Sequence, residues 1–172
     1  LLAGKLVATT FAIGSGAPGG IVSPSLAVAA GAALTTFHAL AELGLTLPEL
    51  PRPIGNFATH VQEGGLIYLS GQGPTHEDGR LHTGKVGRDG SITEAYGHAR
   101  LTGLNLLAVL HEALGDLGRV RRVVKLLGMV NAAPDFSDHP AVINGCSDLF
   151  VAVFGDNGRP ARSASLNSSG TE

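Results

Sequence analysis

From Leu6 through Ala41 the chain carries no Asp, Glu, Lys or Arg, whereas charges are spread along it from Glu42 onward. This shift is the strongest boundary signal in the sequence. It predicts two unlike pieces, an apolar appendage over residues 1–37 and a folded domain over residues 38–172. The uncharged stretch is long enough to cross a bilayer, but Gly14, Gly16, Pro18, Gly19, Gly20 and Pro24 interrupt its middle, which argues against one straight spanning helix. A secretory signal would need a basic start and a defined cleavage site. The chain instead opens Leu1-Leu2, as expected of a fragment or a processed chain. The appendage is expected to be disordered or packed on the surface, with a helix over about Ser25 to Ala41.

Composition narrows what the second piece can do. The chain has 172 residues, which suits one domain. Twelve Lys+Arg against 14 Asp+Glu leave a net charge of -2, so no basic field attracts nucleic acid or an anionic membrane. With no Trp and 2 Tyr, a stacking platform for single strands is poorly supplied. The single cysteine, Cys146, excludes an internal disulfide and a thiolate-rich zinc site, and it fits a reducing, cytoplasmic setting. No metal and no cofactor is expected.

Pattern then gives the elements. Pro48, Pro51 and Pro53 stiffen the approach to the domain. Phe57 to Glu63 and Leu66 to Ser70 flank Gly64-Gly65 and predict a hairpin. Leu81 to Val86, between the turn signals Asp78-Gly79 and Asp89-Gly90, predicts a short strand. Ser91-Ile-Thr-Glu94 is a capping box, and Leu106, Leu107, Leu110, Ala113 and Leu114 recur at helical spacing, which predicts a helix over 92–114. Val120 to Val130 reads as a long strand, and Pro140 opens a second helix that Gly155 stops. Ala161 to Leu166 reads as a last strand. The fold class is therefore α+β, a mixed sheet with two helices on one face. The opposite face is left bare, so an oligomer is expected before any family is named.

Four motifs carry a resemblance: Ile54-Gly55-Asn56-Phe57, Leu69-Ser70-Gly71-Gln72, Asn131-Ala-Ala-Pro-Asp-Phe136 and Pro160-Ala161-Arg162-Ser163. With two helices spaced between them, residues from about His38 to Ser165 resemble the RidA family, also called YjgF-like or, by an older label, endoribonuclease L-PSP, in a divergent branch. The resemblance implies a chorismate-mutase-like fold and a homotrimer with ligand clefts between subunits. It further implies hydrolytic deamination of reactive α-imino or enamino acids to α-keto acids and ammonia. Arg162 then takes the substrate carboxylate by a two-bond fork, and Ser70 and Gly71 orient the imine nitrogen or the water. Phe57, Asn131, Ser163 and Ala164 fall in the substrate-binding motifs. Phe57 stands where the archetypal enzymes place a tyrosine, so a ring wall is kept and a hydroxyl is lost. Family chains continue past the Arg-Ser pair with a final strand carrying a glutamate. This chain lacks that motif, and Glu172 is not given the role.

A second resemblance lies upstream. Gly4 to Leu34, centred on Ser15-Gly-Ala-Pro-Gly-Gly-Ile-Val-Ser-Pro24, is similar to one segment of the CLC chloride channel family, with Val22 where that family usually has Phe. The family uses such a break to aim backbone N–H groups at a dehydrated anion. It builds its pore from many helices, so one such segment is read as a stray or fused piece.

The remaining candidates have plainer explanations. His76 and His82 are not at zinc-helix spacing, and His111 has no second ligand nearby. The basic run Arg119, Arg121, Arg122 and Lys125 falls at the start of and along a predicted strand, where alternation sends charges to both faces instead of building one RNA surface. Cys146 falls on an apolar helix face and reads as a core thiol. Three functions stay open: a hydrolytic deaminase of imino acids, a non-catalytic trimeric binder of small carboxylates, and a membrane or anion-handling fragment supported only by Gly4 to Leu34.

Overall fold

The computed structural model describes residues 8–13, 40–50, 53, 55–75 and 80–166. Its strands are β1 (Ala8–Ile13), β2 (His60–Glu63), β3 (Leu66–Leu69), β4 (Val120–Val130) and β5 (Ala161–Leu166). Two long helices, α1 (Ile92–Leu114) and α2 (His139–Phe154), stand between β3 and β4 and between β4 and β5 in the chain. The five strands form one mixed sheet in the order β2-β3-β1-β4-β5. Only the β4–β5 pair is parallel.

Local chemistry explains most elements. Glu63 pairs with Leu66, so Gly64-Gly65 alone turn the hairpin, and Gly64 at φ +57° takes the left-handed backbone that such a turn needs. The capping box forms as expected. Glu94 N–H donates to Ser91 Oγ at 3.2 Å, and Ser91 N–H donates to Glu94 Oε2 at 2.8 Å. Gly115, at φ +72°, closes α1 by donating its N–H to His111 O at 2.7 Å. Asp138 caps α2, and Pro140 fits its first turn, where a missing N–H costs nothing.

The helices cover one sheet face. Ile67 and Leu69 of β3 and Val123, Leu126 and Val130 of β4 are buried with Leu106, Leu107 and Leu110 of α1 and Leu149 and Phe150 of α2. The helices approach so closely at Gly145 that a Cβ there would overlap the Tyr96 carbonyl oxygen. Tyr96 Oη also donates to Asp148 Oδ2 across the pair at 3.0 Å. On the other face Val61, Tyr68 and Val124 are exposed by 56%, 48% and 38%, so among the described residues that face is bare as expected.

Two expectations are corrected. Leu81 to Val86 is not a strand: the segment makes only isolated bridges, Thr75 to Leu81 and Val86 to Gly90 and Ala132. Gly84 at φ +134° and Gly87 at φ +87° bend the backbone away from a ladder. More consequentially, the predicted appendage contributes β1 to the middle of the sheet. Thr9 pairs with both Leu69 and Leu126, and Thr10 with both Tyr68 and Lys125, so β1 is what joins the hairpin to β4. Its sequence, Ala-Thr-Thr-Phe-Ala-Ile, has the β-branched and aromatic content of a strand, which the charge boundary concealed. The predicted helix over Ser25 to Ala41 lies outside the described residues except for 40 and 41, which are helical, and Leu40 is buried against the core.

Candidate functional site

Arg162 lies on β5 opposite Leu126, and its guanidinium turns toward α2. Nη1 donates to Asn144 Oδ1 at 2.6 Å and to Ser147 Oγ at 3.2 Å. Both acceptors stand one helical turn apart on α2, so they fix the plane of the guanidinium from one side. Ala164, two residues on, packs against the core. Ser163 has the opposite orientation, and its Oγ accepts from Lys125 Nζ at 2.7 Å. The Arg-Ser pair therefore serves two faces of the sheet.

Ser70 follows β3. Its N–H donates to Thr59 O at 2.9 Å, and its Oγ donates to Ala58 O at 2.5 Å, which ties the Phe57 loop to the strand end. Phe57 is 47% exposed, while Gly71 is half-buried. These three residues form one group, and Arg162 belongs to another. The paired row Leu69, Thr9, Leu126, Arg162 crosses three strand intervals. At ~4.8 Å each, this puts Arg162 about 14 Å from the β3 end within one chain. The two groups therefore stand well apart within one chain.

Asn131 joins neither group. Its Nδ2 donates to Gly84 O at 2.8 Å, its carbonyl accepts from Val86 N–H at 3.0 Å, and its Oδ1 has no partner among the described residues. It lines a cavity beneath α1 instead. Sequence reading missed Asn144 and Ser147 as the groups that hold Arg162. The signal was two polar residues one turn apart on a largely apolar helix, but nothing local said that β5 would lie beside them.

Titration is shifted in few places. The Arg88 guanidinium, followed by the Lys85 N–H, holds the Asp89 carboxyl down to about 2. The N–H and then the hydroxyl of Ser91 hold Glu94 low. Burial, then the bond to Asp148, raises Tyr96. Burial pushes the Cys146 thiol up to about 12, so it is a protonated core group at neutral pH. Among the described residues no three His, Cys, Asp or Glu side chains converge as metal ligands, and no helix is long and apolar enough to cross a membrane.

The fold and site together define a two-layer α+β domain with an arginine clamped at one sheet edge and a serine–glycine loop at the other side. The family described as "YjgF/chorismate_mutase-like, putative endoribonuclease" matches residues 38–169, and the chain belongs to it. Residues 1–61 also match the voltage gated chloride channel family. Protein TCP17 of Trypanosoma cruzi is 41% identical over 126 residues, covering 73% of this chain and 79% of that protein. A crystal structure from Shewanella oneidensis, called a "putative endoribonuclease", superposes with TM-score 0.74 at 34% identity over 77% of this chain and 87% of that one. The protein Atu1372 of Agrobacterium tumefaciens, described as of unknown function, gives 0.72 at 39% identity over 81% and 87%. These likenesses establish the chorismate-mutase-like α+β fold.

Proposed function

We propose that this protein hydrolyses small α-imino or enamino acids to α-keto acids and ammonia, in clefts between the subunits of a cytoplasmic homotrimer. The observation that carries this reading is the clamp on Arg162. Asn144 and Ser147 occupy Nη1 only, and no partner of Nε or Nη2 is found among the described residues. Those two nitrogens form the side-on fork that matches a carboxylate. The held guanidinium loses little further freedom on binding, which favours affinity. In the reaction, water oxygen bonds to the imine carbon, the carbon–nitrogen bond breaks, and nitrogen leaves as ammonia with the protons that water supplied. The Gly71 carbonyl and the Ser70 oxygen lone pairs are the groups for orienting water or the imine. The bare face carrying Tyr68 and Val61 is the surface for trimer closure. A net charge of -2 gives no support to RNA as the substrate.

A second reading, a non-catalytic binder of small carboxylates, is favoured by two observations. Phe57 offers no hydroxyl, and the Ser70 O–H is already donated to Ala58 O. The test is calorimetric titration of an α-keto acid into the wild type and Arg162→Lys, with imino acid generated in a coupled assay to follow hydrolysis. Lys keeps the charge and loses the fork, so binding should weaken by roughly 1.5–3 kcal/mol. Equal affinity would sink the anchoring role. Binding without faster hydrolysis would select the second reading. Light scattering that reports a monomer at micromolar concentration would refute the inter-subunit cleft.

A further inference from the structure

We propose that the cavity beneath α1 is a second binding site, taking a small, mainly apolar molecule that carries one N–H or O–H donor. Its volume is about 130 Å³. That is close to the ~150 Å³ apolar cavity known to hold benzene. Leu126 and Val130 of β4 and Ile143 of α2 form apolar walls, and Ala95 and Ala99, one turn apart on α1, leave the space that larger side chains would fill. Into this lining comes one buried amide. Asn131 is 7% exposed, and its Nδ2 bond to Gly84 O at 2.8 Å fixes which way the amide faces. Its Oδ1 is left without a donor among the described residues.

A buried acceptor in this state calls for a donor, and none of the lining side chains, Lys85, His82 and His98 included, donates to it. Thr102, which also lines the cavity, has its hydroxyl donated to His98 O at 3.0 Å. At the rim, Asp89 and Glu94 are acceptors already engaged by Arg88 and Ser91. A lone water is stable in such a place when it finds about two to four polar partners, and Ala95, Ala99, Leu126, Val130 and Ile143 offer it none. A ligand with one donor and a hydrocarbon body satisfies Oδ1 and the walls together. None of Arg162, Ser163, Ala164, Ser70, Gly71 and Phe57 lines this cavity, so the site is separate from the arginine fork.

Phenol and benzene are the probes, since they differ by the one donor at issue. Titrations of the full chain followed by ¹H–¹⁵N NMR should show saturable binding of both, with phenol tighter by about 3- to 10-fold, the factor for one hydrogen bond made to a waiting acceptor. The Asn131 side-chain amide should shift with phenol. Ala99→Leu, or Ala95→Leu as a second filler, should abolish binding of both while the thermal transition stays cooperative. Asn131→Ala should bind the two probes equally; if that variant does not fold, the wild type and the filled variants still decide. Failure of the wild type to bind either probe, equal affinity for the two, or unchanged binding by a folded filled variant would overturn the proposal.

Discussion

Proline at Thr10 tests the placement of β1 most directly. Thr10 pairs with Tyr68 on one side and Lys125 on the other, so its N–H points at a neighbouring strand whichever way it is turned. Thr10→Pro removes that donor and leaves a facing carbonyl without a partner. One net hydrogen bond is worth about 1 kcal/mol and an orphaned buried acceptor about 1–3, so the loss should be roughly 2–4 kcal/mol. At about 2–4 °C per kcal/mol for a chain of this size, the midpoint should fall by roughly 4–16 °C. Thr10→Ala retains the N–H and serves as the control, with a loss below about 1 kcal/mol. The assay is thermal and urea unfolding followed by circular dichroism. The charge pattern alone, which read residues 1–37 as an appendage, predicts no change. A Thr10→Pro midpoint equal to that of the control would show that β1 is not a central strand and that the hairpin joins β4 in another way.

Gly145→Ala should cost about 1–3 kcal/mol, because the added Cβ meets Tyr96 backbone instead of a side chain that can rotate aside; an unchanged urea midpoint would refute the close helix crossing. Asp89, held down to about 2, should stabilise the fold above the ordinary carboxylate range near pH 4 and lose that contribution as pH falls toward 2. Asp89→Asn should therefore show a shallower loss of stability between pH 5 and 2, and identical profiles would exclude this carboxylate as a source. Cys146, buried and raised to about 12, should react with a thiolate-selective reagent at pH 8 far more slowly in the native chain than in urea, and equal rates would contradict its burial.

What the sequence determined is what depends on neighbours a few residues apart. Gly64-Gly65 set the hairpin, the reciprocal bonds of Ser91 and Glu94 started α1, Gly115 ended it, and Pro140 opened α2, each through contacts within about one turn. The motif around Arg162 was legible as a family motif for the same reason, since residue type and order carry it. Tertiary structure decided the rest. Nothing within Ala8–Ile13 specifies that its partners are Leu66–Leu69 and Val120–Leu127, because strand pairing is set by which edges remain open once the helices have docked. That one insertion adds a strand between the Ser70 loop and Arg162 and brings their separation to three strand intervals. The same long-range packing brought Asn144 and Ser147 to the guanidinium and turned Asn131 from a motif residue into the polar wall of a separate cavity.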